Sequence, residues 1–165
     1  MNQPPPSDAD KAYLLEAVQL ALQSVEIGGG PFGALVVQDG EVIARAANRV
    51  TLNCDPTAHA EVEAIRQAAL LQASPHLPAS TLYTSCEPCP MCLAAAQWAR
   101  IPRIIYAASQ LTADRAGFAD GAMAEQLYGQ AKPVWADKLG LYQMEIEQAE
   151  APFRAWQAKQ DRQNY

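Results

Sequence analysis

Cys86-Glu87-Pro88-Cys89-Pro90-Met91-Cys92 is the stretch from which the chain is best read. Three of the four cysteines sit here at even spacing beside two prolines, and the fourth is Cys54. Thiols packed this closely point to metal binding or redox chemistry. Thr81 to Ser85 reads as a short strand leading directly into them. A helix follows from about Pro88 to Ala99, Pro102 stops it, and Arg103 to Ala107 forms the next strand. The cysteines thus sit where a strand hands over to a helix.

The pattern continues upstream. From Asp8 to about Ile27, the residues Leu14, Leu15, Val18, Leu22 and Val25 recur near helical spacing, with Ser7 or Asp8 as cap and Gly28-Gly29-Gly30-Pro31 as terminator. Phe32 to Gln38 and Glu41 to Ala47 read as strands joined by the hairpin signal Asp39-Gly40. A polar loop covers Asn48 to Pro56. Thr57 caps a helix running to about Leu71, with Ala64, Ile65, Ala68 and Leu71 as its buried stripe. Downstream the signal weakens. A loop carries Asp114, Gly117, Phe118 and Asp120, and a short helix spans about Ala122 to Gly129. Tyr142, Met144 and Ile146 alternate as a fifth strand or edge segment, and a last helix covers Pro152 to Lys159. Helices alternating with strands mean a sheet with helices on its faces, an α/β protein.

At 165 residues the chain is read as one domain, 1–165, with residues 1–7 a flexible proline-rich lead. The formal net charge of −6 argues against a surface built to neutralise phosphates. No 18-residue apolar run offers a membrane span. The polar start lacks a signal-peptide core, so the expected location is cytoplasmic, where cysteines stay reduced and serve metal or catalysis.

Cys89 and Cys92, three apart at the first turn of a helix, project from one face, and the free N–H groups of a helix start favour thiolates. His59, in Thr57-Ala58-His59-Ala60-Glu61, begins another helix and adds a ring nitrogen. The three make a donor set suited to zinc, Zn2+. Three ligands leave a fourth position for water, whose pKa on zinc falls to about 7, and Glu61 is placed to handle its proton. A closed site that adds Cys86 as fourth ligand would be structural and would leave Glu61 without a role. Cys86 at the strand end reads as a buried small residue. His76 reads as a solvated loop residue, and Trp98 as helix core, with a place near the substrate or at a dimer contact as the alternative.

His59-Ala60-Glu61 followed by Pro88-Cys89-x-x-Cys92 resembles the signature of the zinc-dependent nucleobase and nucleoside deaminases. Further segments extend the likeness over nearly the whole chain: Gly30-Pro31-Phe32-Gly33-Ala34, Ala116-Gly117-Phe118-Ala119-Asp120 and Pro152-Phe153-Arg154-Ala155-Trp156, with Tyr165 last. With these the chain resembles the guanine deaminases of the cytidine-deaminase-like superfamily. The resemblance implies a three-layer α/β/α sandwich around a five-stranded mixed sheet. It implies His59, Cys89 and Cys92 as ligands of one zinc per subunit and Glu61 as proton shuttle. Asn48, Phe32, Ala60, Asp120 and Tyr165 are implied at a small purine substrate, with Asp120 also assisting proton transfer. It further implies a homodimer whose tail, from about residue 150, closes the active site and is exchanged between subunits. Ala119 departs from relatives that carry a second acid beside Asp120. Taken alone, Asn48 reads as a turn former, Phe32 as core, Asp120 as a loop acid or helix cap and Tyr165 as a frayed end.

Three activities fit these residues. The first is hydrolysis of guanine to xanthine and ammonia. The second is deamination of adenosine in tRNA, or of another guanine-like ring or nucleoside. The third is a zinc-stabilised binding module with no open position on the metal.

Overall fold

The computed structural model describes residues 4–118, 120–128 and 140–165. Five strands form one sheet in the order β2-β1-β3-β4-β5. They are β1 (Gly33–Gln38), β2 (Glu41–Ala47), β3 (Ser80–Cys86), β4 (Arg103–Ala108) and β5 (Leu141–Gln143). β1 runs antiparallel to both neighbours, whereas β3, β4 and β5 run parallel. The sheet is therefore mixed, as expected. At the β1–β2 turn both Asp39 and Gly40 have positive φ (52° and 80°), which suits the right-handed twist of a tight hairpin.

Side-chain alternation sorts the central strands into two faces. In register, Leu35, Tyr83 and Ile105 point to one side. They pack there on Leu14, Ala17 and Val18 of α1 (Asp8–Glu26). Their neighbours Val36, Leu82 and Ile104 point to the other. They meet α3 (Ala60–Leu71) and α4 (Pro90–Trp98) through Ala64, Ile65, Leu93 and Ala96. Helices on both faces make the three-layer α/β/α sandwich. Such strands are buried on both sides, which is why they read as nearly unbroken apolar runs.

The remaining helices are α2 (Val50–Asn53), α5 (Gln110–Ala116), α6 (Asp120–Tyr128) and α7 (Ala151–Ala158). α2 and α5 lie in segments expected to be loops. α2 has a single turn, too short for periodicity to register, and α5 carries one fully buried position, Ala113. α6 begins two residues earlier than expected, and Gly129 lies outside the described residues. β5 ends at Gln143, yet Met144 N still donates to Tyr106 O (2.9 Å) and Ile146 packs below the sheet.

Two apolar positions are corrected. Leu71 is 67% exposed and Trp98 is 84% exposed, so neither is core. Each is the last residue of its helix, and the buried stripes end earlier, at Ala68 and Ala96.

One charged cluster was not anticipated. Asp10 is buried and accepts bonds from Arg103 Nη1 (2.8 Å), Arg103 Nη2 (3.0 Å) and Tyr83 Oη (2.5 Å). Ser7 N and Oγ also donate to it (2.7 and 2.8 Å). Arg103 reaches on to the carbonyls of Pro4 and Pro5 (3.2 and 3.3 Å), fastening the lead segment to the sheet.

Candidate active site

Helices α3 and α4 both start at the carboxyl-terminal edge of the sheet, and the residues just before them do the same job. His59 precedes α3 with extended backbone (φ −66°, ψ 151°), and Cys89 precedes α4 likewise (φ −66°, ψ 168°). Each lends its carbonyl to the first helical bond, Glu63 N to His59 O (2.9 Å) and Leu93 N to Cys89 O (3.0 Å). Each is thus an N-cap, held rigidly while its side chain leaves the helix end. The caps differ from those expected. Thr57 instead donates from N and Oγ1 to Asp55 Oδ1 (2.8 and 2.7 Å) in a turn ahead of the helix. Pro90, rather than Pro88, takes the first helical position, where a missing N–H costs nothing.

His59 Nδ1, Cys89 Sγ and Cys92 Sγ form a triangle with all three sides 3.6 Å. Ligand bonds of about 2.3 Å to sulfur and 2.0–2.1 Å to nitrogen give a tetrahedral zinc site edges of roughly 3.5–3.8 Å. The triangle fits that ion. Cys86 is not part of this cluster. It is buried beside Val25 and Phe118, with its Sγ 3.6 Å from Ser109 O, so the closed four-ligand arrangement does not form.

Electrostatics agree with a metal site. The hydrogen bond from the Cys92 thiol, together with His59, pulls the Cys89 thiol down to about 4. Its hydrogen bond to Cys89, with burial, pushes Cys92 up. The two thiols thus oppose one another across the pair, and a divalent cation would bind them by displacing protons. Glu61, in the first turn of α3, is buried, and its carboxyl is pushed up to about 7, first by burial and then by the negative charge of Cys89. Thr84 Oγ1 donates to Glu61 Oε1 (3.1 Å) and fixes its orientation. A carboxyl poised near neutrality can give and take a proton at working pH.

These groups open into a cavity of about 390 Å3. Its apolar wall is Phe32, Val50, Pro56, Met91, Phe118 and Met123. Its polar side chains are His59, Glu61, Glu87, Cys89 and Tyr165. Phe32 meets Phe118 edge-on (centroids 4.9 Å apart, 79°), and Tyr165 meets Phe118 (5.5 Å) and Trp156 (6.4 Å). A Cβ on Gly30 would lie 1.8 Å from Tyr165 Oη, so any side chain at this position would require the ring to shift.

Other expected site residues fall differently. Asn48 is buried, with Oδ1 accepting from Val50 N (3.2 Å) and its carbonyl accepting from Ser24 Oγ (3.1 Å). Its Nδ2 is buried without a hydrogen-bond partner. Ala60 packs into the core between α3 and the sheet. Asp120 starts α6, but its side chain, like Ala119, lies outside the described residues. Sequence reading missed Glu87 as a wall residue, although a charged side chain set among cysteines and prolines was a visible signal. Val50, Pro56, Met91 and Met123 carried none.

Comparison with known proteins places the chain among deaminases. Residues 7–108 match the family described as the cytidine and deoxycytidylate deaminase zinc-binding region. The chain is 43% identical to guanine deaminase from Bacillus subtilis over 156 residues, covering 94% of this chain and 98% of that protein. Its solved structure superposes with a TM-score of 0.70 over the same shares of the two chains. A solved guanine deaminase from Nitrosomonas europaea is 26% identical with a TM-score of 0.77, covering 96% of this chain and 90% of that one. The tRNA-specific adenosine deaminase of Agrobacterium fabrum is 42% identical over 101 residues, 61% of this chain and 66% of that protein.

Proposed function

The chain belongs to the zinc-binding cytidine and deoxycytidylate deaminase family, and from that premise we propose that it hydrolyses guanine to xanthine and ammonia. The observation that carries this reading is Tyr165. The tail folds back so that this residue walls the same cavity as His59, Glu61 and Cys89. That leaves a lidded pocket of about 390 Å3, suited to a free bicyclic ring rather than a polynucleotide loop. The tRNA-directed relative quoted above matches about 100 residues, whereas the Bacillus guanine deaminase matches almost the whole chain.

His59, Cys89 and Cys92 are assigned as the zinc ligands. When bound, zinc supplies Lewis acidity that makes water nucleophilic at neutral pH. Glu61 takes a proton from the attacking water and delivers it to the ring nitrogen beside C2, then passes the second proton of that water to the exocyclic amine, which leaves as ammonia as the C2–N bond breaks. The buried N–H of Asn48 Nδ2 calls for an acceptor, which a purine ring would provide, since an orphaned donor costs about 1–3 kcal/mol. Phe32 packs on the ring, Ala60 offers only its backbone at the start of α3 because its side chain is in the core, and Asp120 reads the ring edge and assists the proton transfers. In the single chain the tail closes its own cavity; the assembly is assigned as a homodimer in which each tail makes these contacts in the partner instead, and the exposed Leu70, Leu71 and Trp98 supply apolar surface for it.

The direct test is ammonia release by zinc-loaded protein over free bases, nucleosides and tRNA. Guanine should yield xanthine. Inosine in tRNA without xanthine from guanine would overturn the assignment. Tyr165→Ala tests the lid. Edge-on aromatic contacts are worth about 0.5–1.5 kcal/mol each, so losing those to Phe118 and Trp156 should raise KM for guanine by about tenfold. An unchanged KM would remove the tail from the site.

A further inference from the structure

We propose, on the reading of the cavity as a guanine site, that Asp114 is a positioning residue for the substrate. It does not line the cavity. From α5 it holds the start of α6, and so sets the helix that carries Asp120 and Met123 at the cavity wall.

The need for such a holder follows from how α6 is packed. Met123 of this helix walls the cavity. Asp120 is its first residue and stands three positions ahead of Met123, the spacing of one helical face. Yet from Gly121 to Leu127 no residue of the helix is buried. Apolar burial is what usually keeps a short helix formed, since one of this length is marginal in water by itself. Hydrogen bonding at the helix end therefore decides how firmly this wall stands.

The first N–H groups of a helix have no partner within it. The residue ahead of α6 in the sequence is Ala119, which has no side-chain oxygen to offer. The acceptor comes from seven residues upstream, where Asp114 Oδ1 accepts from Gly121 N (3.0 Å). A carboxylate here does the work of a capping side chain and adds negative charge at the positive end of the helix dipole. Gly121 makes room for it. A Cβ at that position would run into the carboxylate and lie 3.0 Å from Asp114 Cγ.

Asp114 stands on a firm base. The first residue of α5 is tied to the strand side of the site, Gln110 N donating to Glu87 Oε2 (3.1 Å). Beyond its other end Phe118 N donates to Ala113 O (3.1 Å), and the Phe118 ring is buried against Phe32, Phe153 and Trp156. Asp114 thus passes the position of a fixed helix on to an exposed one. When only part of a population has the wall in place, apparent affinity falls by that fraction while the bound state keeps its chemistry.

The test uses the zinc-loaded full chain. Asp114→Ala should raise KM for guanine about fivefold, the factor by which loss of one cap shifts a helix equilibrium, with kcat nearly kept. Hydrogen exchange at the amides of residues 124–127 should quicken, and that of α3 and α4 should not. Gly121→Ala should act in the same direction, because the added Cβ displaces the carboxylate, although alanine is the better helix former. Ala119→Ser, added to Asp114→Ala, restores an oxygen ahead of the helix and should return KM and exchange toward wild type. An unchanged KM and exchange in Asp114→Ala overturn the proposal, as does slower exchange in Gly121→Ala. If the double variant stays as impaired as Asp114→Ala, the residue does not act as a cap and the proposal fails. If wild type releases no ammonia from guanine, the functional reading has failed instead, and the exchange rates still decide whether Asp114 holds α6.

Discussion

Glu61→Gln is expected to bind zinc with wild-type stoichiometry and to lose catalysis. The substitution keeps the size of the side chain and an oxygen at the position where Thr84 Oγ1 donates. It leaves His59, Cys89 and Cys92 untouched. What disappears is the group that takes up a proton, and general acid–base catalysis by one positioned side chain contributes about 10²–10⁴-fold. Ammonia release should fall by that factor while metal analysis shows one zinc per chain. The variant should fold as well as wild type, because a buried carboxyl pushed up to about 7 is exchanged for a neutral amide that needs no counter-charge. Near-normal turnover in the zinc-loaded variant would end the role given to Glu61.

The largest expected effect on stability lies on the opposite face of the sheet. Asp10→Ala strips Arg103 and Tyr83 of their shared acceptor. Breaking a buried ion pair by removing one partner costs about 3–5 kcal/mol. In a chain of this size that lowers Tm by on the order of 10 °C. The effect has a defined pH dependence. Hydrogen bonds from Arg103 in the first place, then from Tyr83 and Ser7, hold the Asp10 carboxyl well below the ordinary carboxylate range. A depressed native pKa stabilises the fold above the unfolded value, about 3.9 for Asp, and this contribution is lost as pH falls toward the native pKa. The Tm difference between wild type and variant should therefore be level from pH 5 to 7 and shrink below about pH 4. A difference that persists undiminished at pH 2 would show that packing, and not the charge on Asp10, supports this region.

Both predictions involve residues that the sequence made legible to different degrees. His59, Glu61, Cys89 and Cys92 stood out because metal chemistry restricts residue type and spacing, and because helix starts leave recognisable marks in proline and cap residues. The hairpin was equally plain, since Asp39-Gly40 is one of few pairs at ease with two positive φ angles. The alternation of strands and helices gave the layers. Asp10 was invisible for a physical reason. Its partners lie 73 and 93 residues away, and an acid in the first turn of a helix already has a local explanation at the positive end of the dipole. Glu87 was hidden by its neighbours, which claimed the motif for metal. Trp98 misled because an aromatic residue in an apolar helix reads as core until the sheet shows which side is covered. α2 and α5 are too short for periodicity to reveal, and their positions depend on tertiary bonds such as Gln110 N to Glu87 Oε2.

Tyr83 and Thr84 are consecutive in β3, and their hydroxyls leave on opposite sides of the sheet, one to Asp10 and the other to Glu61. The strand thus serves as a partition between two acids with different duties. The acid that anchors the fold lies on one side of the backbone and the acid proposed to move protons on the other, with no shared partner among the hydrogen bonds described. Energetic effects of changes at such separate places tend to add rather than couple. Evolution, or an engineer, is then free to harden this protein against acid through the Asp10 cluster without retuning its chemistry, and to alter the chemistry without spending its thermal tolerance.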